Sequence, residues 1–409
     1  MAVTSVESLI LDLPPSCIEF CVSHPKYFVV GTYNLVKEEQ TATAPDETSS
    51  STGKRPQNRN GSLLVFRVDN MTLLHVQTIF HPSAILDLHF CPLPGRHDIL
   101  AVVSSTGTLS IFRLDPDVDM LEPLKHLATS RIANVPEGVL FLSGVWSFHD
   151  PALIALTTST GEVRFVKLDD AWKMIDDDAE AAIAHSLEAW TVAFSPCEGN
   201  GAQVTSSSDG TQLTPFVIYS GGDDSALRYV SYADNSKVET DGSGPSMCIQ
   251  FPPLKIDGHG AGVTAILTVP VRLADGSWIL VTGSYDDNIR VFAVQPPHEV
   301  YGLRKFKRLA EENLGGGVWR LKLIDIRQKD NHCHLRVLAS CMHAGARVIE
   351  LKGPLGEGEW EITVLARFEE HKSMNYGSDY APNIGDGRLI VVSTSFYDKL
   401  LCLWETTLP

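Results

Sequence analysis

An apolar strand, a short polar turn and a second strand recur along this chain, and no other feature restricts its fold as tightly. Residues 278–292 read Trp-Ile-Leu-Val-Thr-Gly-Ser-Tyr-Asp-Asp-Asn-Ile-Arg-Val-Phe. Residues 216–230 repeat that pattern almost position for position, and residues 389–404 do so again. Weaker copies end at 104–107, 159–161 and 342–345, and the most degenerate begins at Phe28. Counted on turn residues, Thr106 to Thr160 is 54 positions, Thr160 to Asp224 is 64 and Asp224 to Asp286 is 62. Asp286 to Asp398 is 112, two steps of 56. A unit of this length cannot bury its apolar face alone and must stack on its neighbours, as in a solenoid or a propeller.

Each unit has a further strand upstream, often closed by proline, as in Ile85–Pro92, Ala189–Pro196 and Val263–Pro270. Apolar residues alternate with period two, and no long stretch has helical period. Seven units of three clear strands and a looser outer one predict an all-β fold, a seven-bladed β-propeller. The whole chain, 1–409, then forms one domain. The last unit stops after its third strand, near Trp404, while Val6–Leu13 is a spare strand ahead of the first. Pairing the two would close the ring and remove the open sheet edges that invite aggregation. Two segments, 36–60 and 198–214, are rich in Ser, Thr, Gly and charge and read as disordered inserts.

Composition narrows the function. A net charge of −17 argues against a nucleic-acid partner, whose phosphates need a basic face. No run of 18 apolar residues is present, so no transmembrane helix is expected. The start, Met-Ala-Val-Thr-Ser, carries no evident signal peptide. Eight cysteines lie scattered without framework spacing, which fits reduced thiols and a cytoplasmic location. His332-Cys-His334 lacks a second pair of ligands, so no metal is expected, and no cofactor either.

In a propeller, the approach to the innermost strand a and the turn from strand b to strand c lie on one face. The unusual residues of this chain sort there. The b–c turns hold Tyr33, Gly221–Asp224, Ser284–Asp286, Cys341–Gly345 and Ser395–Asp398; the approaches to strand a hold Glu188–Trp190, Gly315–Arg320 and Tyr376–Asp379. Charged, hydroxylated and aromatic residues around one channel mouth are what a binding site needs. The plainer reading of Asp224, Asp286 and Asp398 is structural, closing their turns by side-chain hydrogen bonds. Trp190 and Trp319 also suit the core, and His343 stands where such turns commonly carry Asp. Nucleotide-loop, serine-elbow and metalloprotease signatures are all missing.

Gly258-His259, 27 residues before Asp286, marks a WD repeat, and most other units lack the pair. Taken together, Gly31-Thr-Tyr33, Ser83–Asp87, Glu188-Ala-Trp190, Tyr219–Asp224, Thr282–Asp286, Gly316-Gly-Val-Trp-Arg320, Cys341-Met-His343, Tyr376-Gly and Ser395-Phe-Tyr-Asp398 resemble the WD-repeat diphthine methyl ester hydrolases of diphthamide biosynthesis. That resemblance implies a carboxylic ester hydrolase, a diphthine methylesterase. Its substrate would be methylated diphthine on translation elongation factor two, the protein partner, with the enzyme acting as a monomer. Diphthine carries a trimethylammonium group, and such cations favour aromatic faces. Tyr33, Trp190, Tyr285, Trp319 and Tyr397 would form the cage, Glu188, Asp224 and Asp286 would add negative charge, and Gly316 and Gly317 would offer backbone amides. His343 would be the general base, Arg320 an oxyanion donor, and Ser284 or Ser395 the nucleophile. The alternative is a non-catalytic scaffold that recruits a protein partner through the same face.

Overall fold

The computed structural model describes residues 1–36, 58–148, 150–175, 180–196, 214–234, 247–249, 252–298, 301–382 and 387–409. It is an all-β, seven-bladed propeller, without a helix among the described residues. Among the described residues, no helix is long and apolar enough to cross a membrane. The inner strands a of blades one to seven are Pro15–Phe20, Ile85–Phe90, Phe141–Trp146, Ala189–Phe194, Val263–Arg272, Arg320–Lys329 and Gly377–Tyr380. Each pairs antiparallel with the next strand of its blade.

Buried side chains explain the stacking. Strands b such as Tyr27–Thr32, Ile99–Ser104 and Leu153–Thr158 are buried along their whole length. Each lies in the middle of a sheet covered on both faces, which is why they read as continuous apolar runs. The period of two then divides them between neighbours. In blade five, Ile279 and Val281 pack against blade six, while Leu280 packs against blade four. Seven apolar clusters result, one at each blade-to-blade interface.

The N-terminus closes the ring as expected and does one thing more. Ser5–Ile10 pairs antiparallel with Leu400–Thr407, placing Ser8 opposite Cys402. Ala2–Val3 then crosses to blade six and runs parallel to Glu361–Phe368. The Met1 ammonium donates to the Leu365 carbonyl at 2.9 Å. One short segment therefore ties two blades. The expected inserts lie almost wholly outside the described residues. Of their ends, Arg59 and Asn60 begin Arg59–Asp69, where Asn34 pairs with Asn60, and Thr214 begins Thr214–Gly222.

Candidate functional site

The register puts the first residue of each strand a beside the last of strand b: Ala189 opposite Gly222, Val263 opposite Ser284, Arg320 opposite Ser340. The residues just outside those pairs therefore share one mouth of the channel. Seven aromatic rings meet there in an unbroken arc. Trp190 lies 5.5 Å from Trp319 and 6.3 Å from Tyr285, and Tyr285 lies 5.8 Å from Trp319. Trp319 continues to Tyr376 at 5.0 Å, Tyr376 to Phe396 at 5.5 Å, and Phe396 to Tyr397 at 5.0 Å and Tyr33 at 6.0 Å. All five expected cage residues are in the arc. Tyr376 and Phe396, which link its two ends, were not among the expected cage residues, although the motifs Tyr376–Asp379 and Ser395–Asp398 contain them.

The arc is electronegative on one side. The Trp190 indole N–H donates to Asp223 Oδ1 at 3.0 Å. Burial, with Tyr376, Asp223 and Glu188 nearby, pushes the Tyr285 phenol well above its ordinary range. An extra negative charge is thus disfavoured there, chiefly because the phenol is removed from water. Gly316 and Gly317 shape the mouth by close packing. A Cβ on Gly316 would stand 2.4 Å from the Cys341 carbonyl, and one on Gly317 2.7 Å from Met342 Sδ. Only glycine lets this approach press so closely on the neighbouring turn.

The turn aspartates take the structural part. Asp224 sits 2.9 Å from His185 Nδ1, and His185 Nε2 reaches Ser220 at 3.0 Å. Burial opposes the Asp224 charge, but His185, the Ser186 amide and Arg228 outweigh it and bring the carboxyl down to about 2. Asp286 accepts from the Gly260 amide at 2.7 Å and from both terminal nitrogens of Arg290, while His259 meets Thr282 at 2.8 Å. In blade seven His371 reaches Ser393 at 2.8 Å, and Ser393 also accepts the Trp404 indole N–H. Asp398 there accepts from the Lys372 amide at 3.1 Å.

The residues assigned to chemistry do not converge. Ser284 is buried and donates to the Ala261 carbonyl at 3.1 Å. Ser395 is buried and bonded to Ser373 and Asp398. His343 is exposed at the rim and makes no hydrogen bond or ion pair with a described residue. Glu188 lies half-buried beside Trp190, its carbonyl accepting the Asp223 amide at 2.8 Å.

Below the two tryptophans the channel holds a cavity of about 210 Å³ whose wall is charged. Arg320 Nη2 meets Asp87 Oδ1 at 2.8 Å. His89 bridges Asp87 at 3.3 Å and Glu19 at 2.8 Å, and Lys322 bridges Glu19 at 3.2 Å and Asp379 at 2.8 Å. Asp87 is fully buried; its second oxygen accepts from the Ser143 hydroxyl at 2.7 Å. Burial penalises a His89 cation, yet Asp87 and Glu19 push its pKa up to about 10. His89 is thus an imidazolium at neutral pH and no base. Burial and Asp87 push the adjacent Cys17 thiol up to about 12, which leaves no thiolate nucleophile. Asp87 and Asp379 close motifs that the sequence placed on this face, but only Arg320 was given a role, and Glu19, His89 and Lys322 were not selected. The available signal was a set of charges inside apolar innermost strands, such as Ile-Leu-Asp-Leu-His-Phe at 85–90.

No family model matches the chain. Three curated relatives match nearly all of it, and each bears the name diphthine methyltransferase. The protein from Schizosaccharomyces pombe is 29% identical over 96% of this chain and 95% of its own. That from Saccharomyces cerevisiae is 28% identical over 96% and 95%. That from Homo sapiens is 27% identical over 93% of this chain and 75% of its own. Among solved structures, one titled "Crystal Structure of Mitotic Checkpoint Complex" superposes with a TM-score of 0.57 at 13% identity, covering 99% of this chain and 92% of that one. This likeness shows the fold alone. The comparisons correct the expected reaction class. The resemblance implied a carboxylic ester hydrolase, whereas the relatives are named for methyl transfer. The sequence had no catalytic signature of its own with which to separate the two classes.

Proposed function

We propose that this chain works in diphthamide biosynthesis and receives diphthine, displayed on translation elongation factor two, at the aromatic mouth of its channel. One observation carries the reading: seven rings from blades one, four, five, six and seven form a single arc beside Asp223 and Glu188. A desolvated trimethylammonium gains roughly 2 kcal/mol from such a face. The names of the full-length relatives supply the substrate and the class, methyl transfer at diphthine. The cavity below is smaller than the roughly 300 Å³ of ordinary ligand pockets. It fits the end of a side chain. A monomer in the cytoplasm, where the elongation factor works, completes the proposal.

The test is to incubate purified protein with elongation factor two carrying diphthine, with and without a methyl donor, and to weigh the modified peptide. A methyl gain that needs the donor supports the reading. An unchanged peptide together with stable co-purification of the two proteins would replace it with the scaffold reading. Methyl loss without a donor would overturn the transfer class.

A further inference from the structure

Three cations line the channel cavity, and they are not equally occupied. Lys322 is held between Glu19 and Asp379, and His89 between Glu19 and Asp87. Arg320 is paired with one carboxylate, Asp87, through Nη2. A guanidinium has five N–H donors in a fixed fork that matches a carboxyl group. Arg320 Nε makes no hydrogen bond, although it is enclosed. The side chain keeps 26% of its surface accessible, and it lines the same cavity as Trp190 and Trp319. Trp319 is also its immediate neighbour in the chain.

Asp87 does not oppose an incoming anion. Its charge already faces Arg320 and the imidazolium of His89, and its other oxygen is taken by Ser143. The Asp379 carboxylate deeper in the channel is likewise engaged, by Lys322 at 2.8 Å and the Phe20 amide at 2.7 Å.

We infer that Arg320 is a specificity-determining residue that binds a carboxyl oxygen of the ligand, so that the mouth and the cavity together recognise a betaine-like group, a quaternary ammonium with a carboxyl a few bonds away. This rests on the reading that the aromatic mouth receives a quaternary ammonium. Trp190 and Trp319 hold the cation, and the accessible part of the Arg320 guanidinium donates to the carboxyl.

The experiment titrates the full chain with choline, which has the cation alone, and with glycine betaine, which has the cation and a carboxylate. Betaine is expected to bind on the order of tenfold more tightly, as a charge-assisted hydrogen bond gives. Arg320→Met should abolish that preference, so that betaine and choline bind the variant with equal affinity. If Arg320→Met fails to melt cooperatively, the double variant Arg320→Met/Asp87→Asn removes the pair as a unit and runs the same comparison. Equal affinity of the native chain for both compounds, or a betaine preference that survives in the variant, overturns the role of Arg320 and leaves the aromatic reading standing. Failure of choline to bind at all overturns the aromatic reading, and this inference with it.

Discussion

Blades four, five and seven differ from the other four in how their b–c turns are held. In those three, a histidine from the approach to strand a, buried in blades four and seven and half-buried in blade five, meets a serine or threonine on strand b, through His185 with Ser220, His259 with Thr282 and His371 with Ser393. The turn Asp accepts backbone amides close to that histidine. Blade six carries the exposed His343 in the turn, and blades two and three carry Thr-Gly turns. The residue one position before each fixed aspartate is a mouth residue: Asp223 before Asp224, Tyr285 before Asp286 and Tyr397 before Asp398. Structural and functional roles thus fall on adjacent positions. The aspartate spends its charge locally, and in doing so it fixes the direction of its neighbour.

That comparison can be broken most forcefully at Trp404, which is fully buried, stacked on Phe368 at 5.2 Å and bonded to Ser393. Trp404→Ala should cost about 4 kcal/mol in denaturant unfolding. A loss below 1 kcal/mol would mean that the blade-seven network does not hold the ring. Asp286→Ala comes next. It strands Arg290 and the Gly260 amide, and should cost about 3 kcal/mol.

Trp319→Ala should leave the melting temperature of the ring nearly intact and weaken capture of a trimethylammonium ligand by about 2 kcal/mol. Calorimetric titration with choline measures it, and unchanged affinity would separate the mouth from cation binding.

The histidines give a pH test of the same contrast. Burial lowers His259 and His371 to about 4, below the roughly 6.5 of an unfolded chain. Their contribution to stability is therefore complete above pH ~6.5 and is lost as pH falls through about 4. His89 has the opposite sign: its contribution is complete below pH ~6.5 and lost as pH rises through about 10. Imidazole resonances should show His371 neutral at pH 6 and His89 protonated at pH 8; a His371 that titrates near 6.5 would remove it from the network.

The smallest effect is expected at His343, the blade-six counterpart of the turn aspartates. His343→Ala should change stability by no more than about 0.5 kcal/mol, as exposed residues without partners do. A loss near that of Asp286→Ala would erase the distinction between the two kinds of blade.

Much of this was readable in advance, and the reason differs from residue to residue. His371 stands 27 positions before Asp398, the same spacing as His259 to Asp286, so the pattern was present without its glycine. His185 stands 39 before Asp224, because the a–b connection in that blade is longer, and the spacing hides the pair. The aromatic cage residues could be named because turns and strand approaches are local, and each of them falls in a b–c turn or at an approach to strand a.

By itself, then, the sequence determined the seven strand units, their division into two faces and the closure of the last blade by the first strand. These follow from period-two burial and turn chemistry, which act over a few residues. The tertiary structure alone decided the channel chemistry. Glu19, Asp87, His89, Arg320, Lys322 and Asp379 are spread over 361 positions, counting from 19 through 379, and meet only because the ring closes. It also decided that the N-terminus grips blade six as well as blade seven, and that Arg320 stays partly accessible beneath Trp319. No local pattern records which charges a closed ring sets face to face, because their partners are fixed by curvature and burial and not by spacing along the chain.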